Sequence, residues 1–407
     1  LLSQHFFLSL ITSFLITLAF LLAVPIVVLL VECLAAQIPS RRQQSMAMPA
    51  PSVAVLVPAH DEAASIRPVL TQIRTQLSAS DRLVVVADNC TDETATIARS
   101  AGATVIERHD PIRRGKGFAL DYGVQFLASD PPDVVVVVDA DCLVQPGALE
   151  QIARQAAATG CPVQATYLME QPANPQARDA VSSLAFLVKN LVRPKGLAQL
   201  GLPCLLTGTG MAFPWAVIRE ASLASGNIVE DMQMAIDLTL DGHPALFCAD
   251  ARVIGQLPQQ EQAAKSQRTR WEHGHLRTLL TNVPRLLQAA IQQRQLTLLA
   301  VALDLCIPPL SLLVMLWIAA LILTGLAGLL GASSWLPAIA VGGEGVLISV
   351  AILSAWFKFG RTTLPAKRLL AIPFYLIWKL PLYLKFIVRP QTQWIRTQRD
   401  VASTAES

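Results

Sequence analysis

The run Val134-Val135-Val136-Val137-Val138-Asp139-Ala140-Asp141 decides the fold. Consecutive β-branched residues predict a strand buried on both faces of a parallel sheet, so the two carboxylates lie just beyond its carboxyl end, where open α/β sheets bind ligands. Two hard oxygen donors one residue apart can grip a divalent cation. Mg²⁺ and Mn²⁺ take such oxygens together with phosphate oxygens rather than an all-protein cage.

Upstream of this run, Val53 to Val57, Leu83 to Ala87 and Thr104 to Glu107 read as strands, alternating with helices over Glu62 to Leu77, Glu93 to Ala101 and Gly117 to Leu127. The alternation predicts a parallel sheet with right-handed crossovers and a crevice at its strand ends. No GxGxxG follows the first strand and no GxxxxGK[ST] occurs, which counts against dinucleotide oxidoreductases and P-loop enzymes.

Of 407 residues, 53% are hydrophobic and 15% charged, whereas a soluble domain carries about 25% charged residues. The apolar excess sits at the two ends. Phe6 to Cys33 has no charge before Glu32 and is long enough to cross a hydrocarbon layer of about 30 Å. Residues 1–45 are therefore read as a transmembrane anchor and linker, and Arg41 and Arg42 place the next segment in the cytoplasm, at the plasma membrane. That segment is a globular domain over 46–276. Leu279, Leu280, Val283, Leu286, Leu287 and Ile291 then recur at roughly helical spacing within 277–295, the pattern of an interfacial amphipathic helix, which Pro284 can kink, or of one packed on the domain.

Residues 296–390 are membrane-like again. Leu296 to Leu330 and Trp335 to Phe357 read as two spans, and the basic loop of Lys358, Arg361, Lys367 and Arg368 belongs on the cytoplasmic side. Leu369 to Val388 either crosses or lies at the interface. Its Lys379 and Lys385 favour the interface, which keeps the tail 391–407, and Arg389, Arg396 and Arg399, inside. Glu344, inside a span, is a candidate for lining a sugar path, for pairing with Lys379 or for a place near a helix end. The seven cysteines form no CxxC pair or zinc spacing and read as reduced thiols. A scattered net charge of +3 excludes nucleic acid as a partner.

Polar groups gather where the strands end. The first gives Pro58-Ala59-His60-Asp61-Glu62, with Asp61 or Ser65 available to cap the next helix; the second gives Asp88-Asn89. Arg114-Gly115-Lys116-Gly117 opens the third helix, where Lys116 offers a point charge to phosphate. Farther on come Thr207-Gly208-Thr209-Gly210, Glu230-Asp231 and Gln267-Arg268-Thr269-Arg270-Trp271.

In this order the motifs resemble those of the family 2 glycosyltransferases with a GT-A fold, and within them the membrane-embedded branch of cellulose, chitin, hyaluronan and poly-N-acetylglucosamine synthases. The resemblance covers Ser52 to His275 and the flanking apolar segments. It implies an α/β GT-A domain flanked by transmembrane helices, a nucleotide-sugar donor, most simply a UDP-sugar, and Mg²⁺ or Mn²⁺. It also implies that Asp88 contacts the base, with Pro58, His60 and Glu62 in the same pocket, and that Lys116 faces the diphosphate. Asp139 and Asp141 would hold nucleotide and metal, Asp141 as the direct ligand. Thr207, Gly208, Thr209 and Gly210 would shape the acceptor pocket. Glu230-Asp231 would be the catalytic pair, Asp231 as base; Gln267 and Arg270 would meet phosphate and Trp271 would stack on the acceptor sugar. Asp61 and Asn89 depart from the family's usual residues, which leaves base and sugar selectivity open.

The implied reaction is inverting transfer to a growing polysaccharide at the cytoplasmic membrane face. Transfer of a single sugar to a lipid acceptor is the alternative. Carboxylates at all three positions, Asp139, Asp141 and Asp231, argue against a non-catalytic membrane scaffold.

Overall fold

The computed structural model describes residues 2–39, 49–171, 176–226, 229–256 and 261–388. Arg41 and Arg42, and Arg389, Arg396 and Arg399 of the tail, lie outside the described residues.

After the apolar helix α1 (Leu2–Ala35), the chain alternates β1 (Val53–Ala59), α2 (Ile66–Arg74), β2 (Arg82–Asp88), α3 (Thr94–Ser100), β3 (Thr104–Arg108), α4 (Lys116–Leu127) and β4 (Val134–Val137). These strands are mutually parallel in the order β3-β2-β1-β4. The valine run is covered on both faces. Val134, Val136 and Val138 pack with Val69 and Ile73 of α2, while Val135 and Val137 meet the layer of Leu120 and Val124 from α4. All five valines are fully buried, worth about 1.5–3 kcal/mol each relative to exposure.

The second half departs from the parallel pattern. It contains β5 (Cys142–Val144), α5 (Ala148–Thr159), β6 (Val163–Glu170), α6 (Ala177–Leu187), a π-turn (Val188–Val192), α7 (Arg193–Gln199), β7 (Met211–Pro214), α8 (Trp215–Ile218), α9 (Glu230–Leu240) and β8 (Leu246–Gln256). The eight-stranded sheet continues β4-β7-β6-β8-β5, and β7 is antiparallel to β4 and β6. The cause is the path of the chain. The rod of α6, π-turn and α7 leads to the crevice end, so β7 starts where β4 finishes, with Met211 opposite Val137. This delivers the Thr207–Gly210 loop directly onto Asp139.

Next comes α10 (Glu261–Gln293), continuous through Pro284. It carries Gln267 to Trp271 on the same rod as the 277–293 segment. Leu286 buries its side chain with Met232 and Ile236 of α9, while Leu280 and Ile291 are exposed. The apolar stretch beginning at Leu296 is not one helix. It divides into α11 (Leu296–Leu305) and α12 (Leu310–Leu329). Pro308 and Pro309 lack the N–H groups a continuing helix needs, and Leu298 and Leu305 of α11 join the cluster beneath α9.

Helix α13 (Leu336–Ala355) runs on through a π-turn (Trp356–Gly360); a 3₁₀ turn (Ala366–Ala371) then leads into α14 (Ile372–Val388). Four helical segments are long and apolar enough to cross a membrane: Phe6–Ala35, Leu310–Leu329, Leu336–Gly360 and Ala366–Val388. Leu22, Ile26, Leu313, Val341 and Ile348 fill the contact between α1, α12 and α13. Lys358 Nζ donates to the Gln37 carbonyl at 2.6 Å, joining the end of α13 to the end of α1 beside the catalytic domain. In α14, Tyr375, Lys379, Leu382 and Tyr383 are buried, whereas Phe374, Ile377, Leu384 and Ile387 are exposed. Lys379 pairs with Glu272 of α10 rather than Glu344, because α14 lies along the catalytic domain. Among the described residues, Glu344 Oε2 is buried without a hydrogen-bond partner.

Candidate active site

One cavity of about 340 Å³ runs from the ends of β1 and β2 to the apolar helices α1, α12 and α14. At its sheet end are Pro58, His60, Glu62 and Asp88; in the middle are Lys116, Asp139, Asp141 and Asp231; at the far end are Leu29, Ser311, Tyr375 and Lys379. Thr207, Gly208, Glu230, Gln267, Arg270 and Trp271 also face it.

The sheet end is hydrogen-bonded throughout. Asp88 Oδ1 accepts from Arg108 Nη1 at 2.7 Å and from Asn89 Nδ2 at 2.9 Å. Burial raises the Asp88 pKa, and Arg108 offsets part of the rise. Arg108, the last residue of β3, stands beside Asp88 in the sheet register and belongs to none of the motifs legible in the sequence. The available signal was its place at a strand end. His60 Nδ1 lies 2.6 Å from the Asp88 carbonyl. Glu62 accepts from Ser65 Oγ at 2.7 Å. Neither Asp61 nor Ser65 caps α2 with its side chain, because Asp61 instead accepts the Thr91 N–H at 2.6 Å and Ser65 turns to Glu62.

At the centre, Lys116 Nζ donates to Asp139 and to the Gly208 carbonyl. Burial disfavours its ammonium, but Asp139, Glu230 and Asp231 outweigh that and raise the pKa. Asp231 stands in the first turn of α9, where a negative charge suits the helix dipole, and accepts the Met232 N–H at 2.8 Å. Gly208 adopts φ +92°, and a Cβ there would lie 3.3 Å from Asp231 Oδ2 and 3.7 Å from Lys116 Nζ. Glycine thus leaves this space open. Burial and the neighbouring Asp231 push the Glu230 carboxyl up to about 7, with Lys116 and Arg270 acting against them.

Thr209 and Gly210, expected in the acceptor pocket, lie behind the cavity wall. Thr209 Oγ1 accepts the Asp139 N–H at 3.1 Å and its carbonyl accepts from the buried Gln164 at 2.9 Å. A Cβ on Gly210 would approach Val253 to 2.7 Å. They fix the loop while Thr207 and Gly208 face the cavity. Trp271 faces it too and tilts against Phe186, with ring centres 5.9 Å apart.

Ligand atoms of Asp139, Asp141 and Cys142 lie within 4.8 Å of one another. Burial and the adjacent aspartates raise the Cys142 pKa well above that of an ordinary thiol, and its Sγ–H donates to Asp141 at 3.3 Å. That leaves an all-oxygen carboxylate pair, which fits Mg²⁺ or Mn²⁺. The Lys116 ammonium on Asp139 marks the same spot as a site for positive charge. His273 and His275 join no metal-ligating group among the described residues; His273 Nε2 meets the Leu382 carbonyl at 3.0 Å.

Carboxylates at strand ends, a strand-end pair suited to a cation and an acid pair facing both are the arrangement of a GT-A glycosyltransferase domain. Residues 49–274 match the family described as "Glycosyltransferase like family 2"; the match takes in more than half of the chain, and the protein belongs to that family. Over 98 residues it is 38% identical to the glucosyl-3-phosphoglycerate synthase of Mycolicibacterium paratuberculosis, covering 23% of this chain and 29% of that protein. The synthase of Mycobacterium tuberculosis (strain H37Rv) is 35% identical over the same length and the same shares. The chain thus spans under a third of the length of these curated relatives. A mannosyltransferase from Pyrobaculum calidifontis, solved in complex with GDP-Man and Mn²⁺, superposes over 93% of this chain and 99% of its own with a TM-score of 0.55 and 20% identity. That likeness establishes the shared fold.

Proposed function

We propose that the protein transfers a hexose, with inversion, from a nucleoside diphosphate sugar, most simply a UDP-sugar, to an acceptor presented from the membrane. The observation that carries this reading is the single cavity joining the strand-end carboxylates to Ser311, Tyr375 and Lys379 of the membrane-side helices. Asp88, held by Arg108 behind it, binds the base end of the donor, and His60 and Glu62 complete the pocket. Asp231 takes the proton from the acceptor hydroxyl as its oxygen bonds to the anomeric carbon and the bond to the diphosphate breaks. Lys116 and Arg270 meet the charge that builds on the leaving diphosphate. A divalent cation held by Asp141 and Asp139 adds to that charge compensation when bound. Trp271 offers the acceptor an apolar face.

A membrane-lipid-linked acceptor is favoured over a growing polysaccharide by the packing of the bundle. A polymer path needs polar lining, and the contact between α1, α12 and α13 is filled by Leu22, Ile26, Leu313, Val341 and Ile348. Helix α14 fits an interfacial position, its apolar face to lipid and its Lys379 face to the domain. The bond between Lys358 and Gln37 supports placing the basic loop and the catalytic domain on one side, the cytoplasmic one.

The test incubates the full chain in lipid with a panel of nucleotide sugars and Mn²⁺ or Mg²⁺, then analyses organic and aqueous phases. A product with one sugar per lipid, abolished by chelation, is expected. A long water-soluble polymer would instead favour the synthase reading, and no transfer from any nucleotide sugar would defeat both.

A further inference from the structure

The rod over the crevice is a helix interrupted by the π-turn Val188–Val192, a feature that concentrates at functional sites. Lys189 and Asn190, both within it, face the cavity. Among the described residues Lys189 Nζ makes no hydrogen bond or ion pair, yet it lies in the field of Asp231, Asp304 and Glu272. Those acids are already engaged: Asp304 with Arg193, Glu272 with Lys379, and Asp231 with the Met232 N–H. Burial depresses the Lys189 pKa, and these carboxylates only partly restore it. Lys116, by contrast, feels Asp139, Glu230 and Asp231. Asp231 therefore acts on two lysines of the cavity, Lys116 and Lys189.

Several side chains face the cavity with a buried polar atom that has no hydrogen-bond partner among the described residues. Among them are Ser183 Oγ, Asn190 Oδ1 and His275 Nε2, in residues only 5%, 3% and 4% exposed. Leaving such atoms without a hydrogen bond is costly, and a ligand in the cavity can satisfy them. The other ring nitrogen of His275 serves the Leu305 backbone, and burial holds the ring in its neutral form, so Nε2 presents a lone pair.

We propose that Lys189, with Ser183, Asn190 and His275, forms a subsite for a phosphate group carried by the acceptor, on the membrane side of Asp231. The ammonium and the Ser183 hydroxyl serve the phosphate oxygens. Asn190 Oδ1 and His275 Nε2 are acceptors and suit an O–H group, the P–OH of a monoprotonated phosphate or a hydroxyl of a soluble phosphate ester. This deepens, and rests on, the reading of the cavity as the transferase site. The phosphate has two sources, a polyprenyl phosphate in the bilayer or a soluble phosphate ester.

The full chain in neutral-lipid nanodiscs is titrated with polyprenyl phosphate, polyprenol, glycerol 3-phosphate and glycerol, and separately with UDP plus Mn²⁺. A charge-assisted contact predicts that one phosphate ligand binds at least about tenfold tighter than its uncharged counterpart, polyprenol or glycerol. Lys189→Gln should erase that preference and Lys189→Arg should keep it, with the melting temperature reporting on folding. Preference for polyprenyl phosphate assigns the lipid source, and preference for glycerol 3-phosphate the soluble one; either supports the subsite. Equal binding of charged and uncharged ligands, or a preference that survives Lys189→Gln or is lost in Lys189→Arg, overturns it. If UDP with Mn²⁺ binds while the phosphate preference is missing, only this inference fails; if UDP does not bind either, the donor-site reading fails with it.

Discussion

The two ends of the cavity are built on opposite plans. At the sheet end the carboxylates are wired before any ligand arrives: Asp88 to Arg108 and Asn89, Asp139 to Lys116, Glu62 to Ser65. At the end beside the apolar helices Lys379 and Arg193 are paired, yet among the described residues polar atoms of Ser183, Asn190 and His275 are buried without partners and Lys189 has no counter-ion in contact. A preformed donor end holds its geometry through each turnover at little ordering cost. An unsatisfied acceptor end gains its hydrogen bonds only when the second substrate completes them, a difference that ties affinity to the presence of a particular acceptor.

Asp231 lies at the junction, and replacing it should have the largest effect. Asp231→Asn is expected to lower kcat by about 10²–10⁴-fold, the contribution of a positioned base, while UDP binding at the sheet end changes little. A variant with more than about a tenth of wild-type turnover would remove Asp231 from that role.

Next in size is Arg193→Met at the membrane end. Arg193 Nε donates to Glu32 at 2.9 Å and Nη2 to Asp304 at 2.5 Å, all three residues being buried. Removing one member of such a group costs about 3–5 kcal/mol, since the remaining charges stay buried. Thermal unfolding in lipid checks this, and an unchanged midpoint would show that the two carboxylates find other compensation.

Arg108→Gln probes the wiring of the donor end. It leaves the buried Asp88 short of its charge partner, a loss of about 1–3 kcal/mol, so UDP affinity should fall roughly tenfold by calorimetry with acceptor binding unaffected. Equal losses at both ends would erase the contrast between them.

The smallest effect is a pH dependence. The Glu230 pKa rises from 4.5 to about 7 on folding, so across that window the unfolded chain has released the proton and the folded chain has kept it. Stability therefore falls as pH rises through the window and levels off above it. Glu230→Gln should flatten this component of the melting-temperature profile, and an unaltered slope would assign it to another group.

The donor end was legible because its chemistry follows each strand directly. A valine run fixes the direction of β4, and Asp139 and Asp141 must then emerge at its end; Asp88 is placed by the same reasoning. Asp231 and the Gln267–Trp271 segment carry no such local signal and came through family resemblance. The reversal of β7 was hidden because it depends on where the rod before it leaves the chain. Lys189 and Asn190 sit in a helical stretch whose facing is set by a π-turn, which hydrophobic periodicity does not encode. Thr209 and Gly210 belong to a motif whose residues divide, two towards the cavity and two into its supporting wall.

The ion group around Arg193 also bears on the order in which the protein assembles. Glu32 emerges first on α1, its guanidinium partner follows 161 residues later, and Asp304 another 111 residues after that. During synthesis α1 therefore waits with an unmatched acid near its end. Docking of the catalytic domain onto α1 supplies the cation, and arrival of α11 completes the set. Assembly is thus sequential, and release of the chain before Asp304 should leave a species that quality-control proteases clear faster than the finished protein, as pulse-chase labelling of truncated chains can measure.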